Sequence, residues 1–370
     1  MLFSLLFNLL FISFSNGNNN FISLSEELVE ANLGYQRRQI IKLLIGNPPQ
    51  KIQVKLSTAI CGLWILDKNK FNHGFDLTQS STFEALGITG KIDFARGTMS
   101  KDTMTFCGVE SNVKIPFLLV DLFLEKSIPK NYDGLLGFGF QCRSASIGNV
   151  NLLKMFKNGG NVSKDIFAYQ FDSKTGKGLF TLGGYPLNMK ISNRHYRTAP
   201  LDIMNINGHW EVNLHSIYFS NNDMIKVDSP LSIGIGGAVF GVNEDIFNYI
   251  IQSDYFTFAF QKGVCQLTKQ DVWEIYCDTS YDINSFGNLS LVIGKWTIKL
   301  KPNMLFAQVK KNNETRYWFS VVYYKDHNGQ FYLSQTLLDG FNTVVYDRET
   351  YSLGIYQGEI PKQEIFIYLK

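Results

Sequence analysis

Apolar and polar residues alternate over short runs through most of the chain, and Gly, Asn or Asp closes nearly every run. QIIKLLIG (39–46), KIQVKLS (51–57), GLFTLGG (178–184), HWEVNLHSIYF (209–219), LSLVIGKWTIKL (289–300) and NTVVYD (342–347) each read as strand. In Trp210-Glu211-Val212-Asn213-Leu214 the alternation is strict, which predicts a strand with one buried face. Helical spacing is confined to NLLKMFKN (151–158) and NEDIFNYIIQ (243–252). In the second, Asn243 is placed to cap the first turn, and Ile246, Tyr249 and Ile250 share one apolar face. The pattern predicts a mostly β protein with two short helices at comparable places in its two halves.

An internal echo divides the chain. Near Ser57 a strand–turn–strand, VKLSTAICGLWIL (54–66), is followed later by Tyr132-Asp133-Gly134-Leu135-Leu136-Gly137. Near Gly234 a glycine-rich apolar turn is followed by Tyr332-Leu333-Ser334-Gln335. A length of 370 residues exceeds what one ordinary core holds, so two related lobes are expected. KISNRHYRTAPL (190–201) interrupts the strands and sets the boundary: a leader over 1–17, one lobe over 18–194 and another over 195–370.

Composition narrows the function classes. Hydrophobic residues make up 45% and charged residues 18%, which suits a folded, well-buried chain. A net charge of +3 without any Lys/Arg block gives no reason to expect nucleic acid or an anionic membrane as partner. The opening MLFSLLFNLLFISFS is apolar and ends in small and polar residues, as an export leader does, and is short for a membrane span. The triplets at Asn161, Asn288 and Asn313 are glycan acceptors in an exported chain. Five cysteines then imply disulfides with at least one thiol left over, and Cys265 with Cys277 is the nearest local pair. Their spacing matches no metal site, and no cofactor is expected.

Taken in order, five segments resemble the pepsin-like aspartic peptidases. IGNPPQKIQVKLSTAICGLWIL (45–66) aligns without a gap to the family's run from I-G-T-P-P-Q through the catalytic D-T-G-S turn to L-W-V. Tyr132–Gly139 is similar to Y-D-G-I-L-G-L-G, Gly178–Gly184 to G-x-V-x-F-G-G, Trp210–Ile217 to W-x-I-x-L-D-x-I, and Val345–Ile355 to the closing V-F-D-R-x-x-x-x-V-G-x. The resemblance implies a bilobal β fold in which each lobe offers one Asp to the floor of a cleft.

At the first Asp position stands Ser57, with Ala59 for the Gly and Ile60 for the Ser; only Thr58 is kept. At the second, Gly234-Ile235-Gly236-Gly237-Ala238 lies over D-T-G-T-S, so Gly234 replaces the acid. A rival register instead puts Asp228 there, at the expense of a six-residue shift and a Pro where Gly belongs. The flap Tyr is matched by Phe94, and the C-terminal apolar-apolar-Gly element has become Tyr332-Leu333-Ser334. Between leader and Ile45 there is no room for the family's basic propeptide.

The implied protein is a secreted monomeric pseudopeptidase. It would hold a peptide or protein in the old cleft, through Thr58, Phe94, Gly236 and Gly237. Two alternatives stand beside it: a divergent active aspartic endopeptidase, and a structural or storage protein. Serine catalysis at Ser57 lacks a base, since His73, His195, His209, His215 and His327 sit in no triad context. His209 and His215 flank the Trp210 strand on one face, but no third metal ligand accompanies them. Trp64 and Trp210 read as core residues rather than ligand-stacking ones.

Overall fold

The structure is a computed structural model of the 370-residue chain. It describes residues 20–356 except 32–33, 93–94, 107–108, 125–130, 141–150, 173–176, 186–195, 201–208, 220–222, 236–238, 295, 312–313, 326–329 and 335–342. The expected leader, Phe94, Gly236, Gly237 and Asn313 lie outside the described residues. The protein is mostly β, as the alternation predicts, and its strands form two sheets in two compact units.

In the first sheet, Gly34–Ile45, Gln50–Ser57, Gly134–Phe138, Cys61–Leu66 and Ile115–Phe123 are successive neighbours, followed by the hairpin Glu84–Ile92/Ala95–Asp102. Inward positions of Gln50–Ser57 are Ile52, Val54 and Leu56, all at most 1% exposed, while Lys51 and Gln53 face out. That period of two is the strand's own, and it fixes which face meets the core. Phenylalanines fill that core. Phe138 lies 5.0 Å from Phe167 and 5.1 Å from Phe180, and Tyr346 stacks on Phe167 at 4.5 Å.

Tyr346 exposes a difference from the expected boundary. Thr343–Asp347 pairs with Ile166–Asp172, and Ser352–Tyr356 pairs with Thr343–Asp347, so these strands extend the first sheet. The expected second lobe of 195–370 therefore loses its last strands to the first. A boundary drawn where strand pattern lapses cannot reveal a strand that returns, because pairing partners are not local.

The second sheet runs Cys265–Lys269, Val272–Asp278, Glu314–Tyr324, Phe240–Val242, Phe331–Ser334, Met224–Gly234, Glu211–Tyr218, Leu289–Ile293, Trp296–Leu300. Phe306–Lys311 adds to Glu314–Tyr324 from the side. The segment 289–300, read as one strand, is a hairpin that turns at Gly294, whose φ of +56° suits glycine. Phe256, Phe286, Phe306 and Phe319 make this unit's aromatic core, with centroids 4.8 to 5.5 Å apart in the closest pairs. Cys265 and Cys277 face each other across a ladder rung and are joined by a disulfide. Cys61, in the first unit, is disulfide-bonded as well.

Helices are more numerous than the two expected. Lys68–Phe71, Asp254–Gln261 and Pro302–Leu305 join Leu152–Asn158 and Glu244–Gln252. Asn243 caps the last of these, its side chain accepting from the Ile246 N–H at 3.0 Å. The buried face is Ile246, Phe247 and Ile250; Tyr249 is only half-buried and donates its hydroxyl to Asp223. The two expected helices do not occupy comparable places. Leu152–Asn158 follows Gly134–Phe138, whereas Glu244–Gln252 directly follows Phe240–Val242.

Candidate functional site: two turns under crossing strands

In the first unit the turn Thr58–Ile60 joins Gln50–Ser57 to Cys61–Leu66, and Gly134–Phe138 runs between those two strands. It is parallel to the first, with Gly137 opposite Ser57, and antiparallel to the second, with Gly137 opposite Gly62. Gly139 N–H donates to the Ile60 carbonyl at 2.7 Å, which ties the turn to the exit of this crossing strand. Backbones approach so closely that a Cβ on Gly137 would lie 2.4 Å from the Ile60 oxygen, and one on Gly134 would lie 2.2 Å from the Trp64 oxygen. Only glycine fits at either place.

The turn itself is closed by its first residue. Ser57, 9% exposed, accepts the Ala59 N–H on its Oγ at 3.2 Å, and Thr58 is buried. Ile60 is half-buried and packs against a core cluster of Trp64, Leu66, Ala95, Met99, Leu118 and Val120. Trp64 is a core residue, as expected, and Trp210 is equally buried in the second unit.

Arg348 holds the same crossing strand from behind. It donates to the carbonyls of Phe138, Gly139 and Phe140 and pairs with Asp165 at 2.8 Å. The sequence reading passed over this residue, although it lies inside the closing V-F-D-R-like segment.

In the second unit Met224–Gly234 and Phe240–Val242 flank the turn, of which Ile235 and Val239 are described and buried. Phe331–Ser334 crosses between them, with Gly234 opposite Ser334 on the parallel side and Leu333 opposite Phe240 on the antiparallel side. Ser334 N–H donates to the Val239 carbonyl at 2.9 Å. The two turns have the same span. Leu136 pairs with Leu56 and Leu63, Leu333 pairs with Ile233 and Phe240, and both steps are seven residues. Ser57 and Gly234 thus end the corresponding strands.

Behind the second turn, Val239 packs with Val272, Tyr276, Val309, Trp318 and Val322, and Tyr324 and Tyr332 lie against them. Glu274 is buried here, accepting from the Tyr276 hydroxyl at 2.9 Å and the Trp318 indole N–H at 3.2 Å. Burial pushes the Tyr324 and Tyr332 hydroxyls well above the ordinary tyrosine range. In sequence Glu274 is a polar residue between the apolar Trp273 and Ile275, which does not mark it as interior. In the strand it shares the buried row of Val272 and Tyr276, and the register shifts between its two neighbours.

Asp228 lies elsewhere. It precedes the segment paired with Phe331–Ser334 and sits at φ +45°, opposite a register shift between Leu214 and Ser216. Its exposed carboxylate bonds Lys226 at 2.9 Å and His215 Nδ1 at 3.1 Å. Hydrogen bonds from Lys226 and then His215 hold it below the ordinary aspartate range. Among the described residues no three His, Cys, Asp or Glu side chains group as a metal site.

Comparison with known proteins agrees with this topology. The family described as eukaryotic aspartyl protease matches residues 39–357. Chymosin of Camelus dromedarius is 26% identical over 221 residues, 55% of each chain. Syncephapepsin of Syncephalastrum racemosum is 27% identical over 150 residues, 38% of each. Pregnancy-associated glycoprotein 6 of Ovis aries is 25% identical over 194 residues, 49% of this chain and 48% of that one. The aligned stretches cover about half or less of these curated relatives. The family match is the broader finding, since it takes in both turns and both crossing strands: this chain belongs to the eukaryotic aspartyl protease family.

Proposed function

We propose that this chain is an exported member of the family that no longer hydrolyses peptide bonds and acts by holding a peptide or protein partner. The observation that carries the reading is the matched pairing at the two turns: Ser57 opposite Gly137 and Gly234 opposite Ser334, at equal steps around the crossing strands. On this reading Ser57 and Gly234 stand where the family keeps its two aspartates, with a hydroxyl and a hydrogen atom in place of the acids.

The chemistry needs both acids. Two carboxylates about 3 Å apart share one proton, so that one acts as base toward water while the other protonates the scissile carbonyl. A serine hydroxyl stays protonated throughout the working pH range and offers no base. Here its oxygen is already committed to the Ala59 N–H. Gly234 contributes no side chain at all. Asp228 is exposed, paired with Lys226 and hydrogen-bonded to His215, and held below the ordinary aspartate range, which is the wrong setting for a shared proton.

Binding does not require the acids, because extended peptides are held through backbone edges and apolar pockets. Disulfides at Cys265–Cys277 and at Cys61 fit an oxidising compartment and support export. No helix among the described residues is long and apolar enough to cross a membrane.

The test is hydrolysis. The purified chain is incubated with a diverse peptide mixture from about pH 2 to about pH 8, with and without pepstatin, and products are read by mass spectrometry. No cleavage is expected at any pH. Pepstatin-sensitive cleavage would overturn the proposal and point to a second acid elsewhere.

A further inference from the structure

Two of the three Asn-X-Ser/Thr triplets fall on described residues, and their surroundings differ sharply. Asn161 is part of the fold. Its Nδ2, the atom to which a glycan is joined, donates to the Glu110 carbonyl at 2.9 Å, and its Oδ1 accepts from the Asn112 N–H at 3.4 Å. Asn112 answers by donating its own amide to the Gly159 carbonyl at 2.8 Å. The rest of the triplet is built in as well: Val162 is buried, and the Ser163 hydroxyl donates to the Gly183 carbonyl at 3.2 Å. A sugar on Asn161 would have to displace a clamp between the helix exit and the Val109–Glu110 strand.

Asn288 is different. It follows Gly287, the φ +72° residue that ends the short helix Ile283–Phe286, and precedes the strand Leu289–Ile293. Leu289 anchors the triplet in the core, leaving Asn288 and Ser290 half-buried to either side of it. Among the described residues the Asn288 amide has no hydrogen-bond partner and none of them needs its nitrogen. Turns that lead into a strand are the surface setting in which this modification is tolerated.

We propose that Asn288 carries an N-linked glycan and that Asn161, despite its triplet, does not. The assignment rests on the reading of the chain as exported. An oligosaccharide carried on a lipid pyrophosphate is the donor: a C–N bond forms between sugar C1 and Asn288 Nδ2 as the C1–O bond breaks. The lipid pyrophosphate leaves, and one amide proton is lost to base.

The full chain is fused behind a heterologous secretory leader and made in cultured eukaryotic cells, so that the outcome does not depend on its own leader. Enzymatic deglycosylation in heavy-oxygen water then labels each occupied asparagine, and peptides are read by mass spectrometry. Label is expected at Asn288 and not at Asn161. Asn288→Gln is expected to remove one glycan's mass without moving the melting temperature, and Asn161→Gln to lower the melting temperature without changing glycan mass. Label at Asn161, or an unlabelled Asn288, overturns the assignment even if either variant fails to fold. Export by the native leader is scored separately, by detecting the unfused chain in the medium.

Discussion

The two turns differ by an exchange. In the first unit the turn strand ends in Ser57 and the crossing strand opposes it with Gly137; in the second the turn strand ends in Gly234 and the crossing strand brings Ser334. Each pair holds one serine and one glycine, on opposite strands. The contact under the first turn has stayed tight, since Gly137 lies against the Ile60 backbone with no room for a Cβ. The second accepts a fully buried serine at the same place. At each crossing the glycine of one strand faces the serine of the other, so each pair carries one small side chain between two closely packed backbones.

The largest expected effect breaks this comparison directly. Gly137→Ser gives the first unit the crossing residue of the second while keeping Ser57, and its Cβ meets backbone at 2.4 Å, which no rotamer relieves. A loss of roughly 3 kcal/mol or more is expected in denaturant unfolding. The reciprocal Ser334→Gly meets no backbone clash and should cost less, about 1 kcal/mol from the added chain freedom of glycine. Equal costs would mean that the two crossings are not differently packed.

Much of this was legible in the sequence, and the misses have physical causes. Strand alternation and five ordered motifs gave the β class and both turns, because period and turn residues are local properties. The gapless run from Ile45 to Leu66 put Ser57 at the end of its strand, and alignment between Trp210 and Gly241 with the helix after it put Gly234 at the end of another, as the pairing has them. Long-range pairing was not legible: Thr343–Asp347 joins the first sheet through Ile166–Asp172, far away in sequence. Nor were Arg348 and Glu274, whose importance lies in the carbonyls, hydroxyl and indole they meet. Tyr249 matched the helical face by spacing but turned half outward, because its hydroxyl finds Asp223.

A second anomaly belongs to the first unit alone. Gln39 continues the inward row of Ile41, Leu43 and Ile45, is fully buried, and among the described residues neither amide atom has a partner. A buried unpaired amide costs more than the apolar group that could replace it. Gln39→Leu should therefore raise stability by about 1–3 kcal/mol, seen as a higher denaturant midpoint with unchanged slope. A fall in stability would show that the amide is satisfied and that the first core is not strained there.

Ser57→Ala probes the turn itself at smaller scale. It removes the acceptor for the Ala59 N–H, and because Ala59 is exposed, water replaces part of that bond. About 1 kcal/mol or less is the expected loss in the same unfolding experiment. A much larger loss would make Ser57 a structural keystone of the turn rather than a small residue that merely fits there.

Asp228→Asn carries the smallest expected effect and the sharpest test of the second turn. Lys226 and His215 hold the Asp228 carboxyl below the ordinary aspartate value of 3.8. A depressed folded pKa stabilises the folded form above the ordinary value, and that contribution disappears as pH falls through the depressed one. The wild type should accordingly exceed the variant slightly at neutral pH, and the two should converge in acid below the ordinary value. The pair is exposed and screened, so added salt should shrink even this difference. If Asp228 were instead the second acid of a working dyad, its titration would be shared with another carboxylate and its removal would abolish an activity. Superimposable acid limbs for wild type and variant, alongside peptide cleavage lost only in the variant, would transfer the site from Gly234 to Asp228. Convergence in acid with no cleavage by either protein leaves Gly234 at the end of the second turn and Asp228 as an ion-paired residue on an irregular strand.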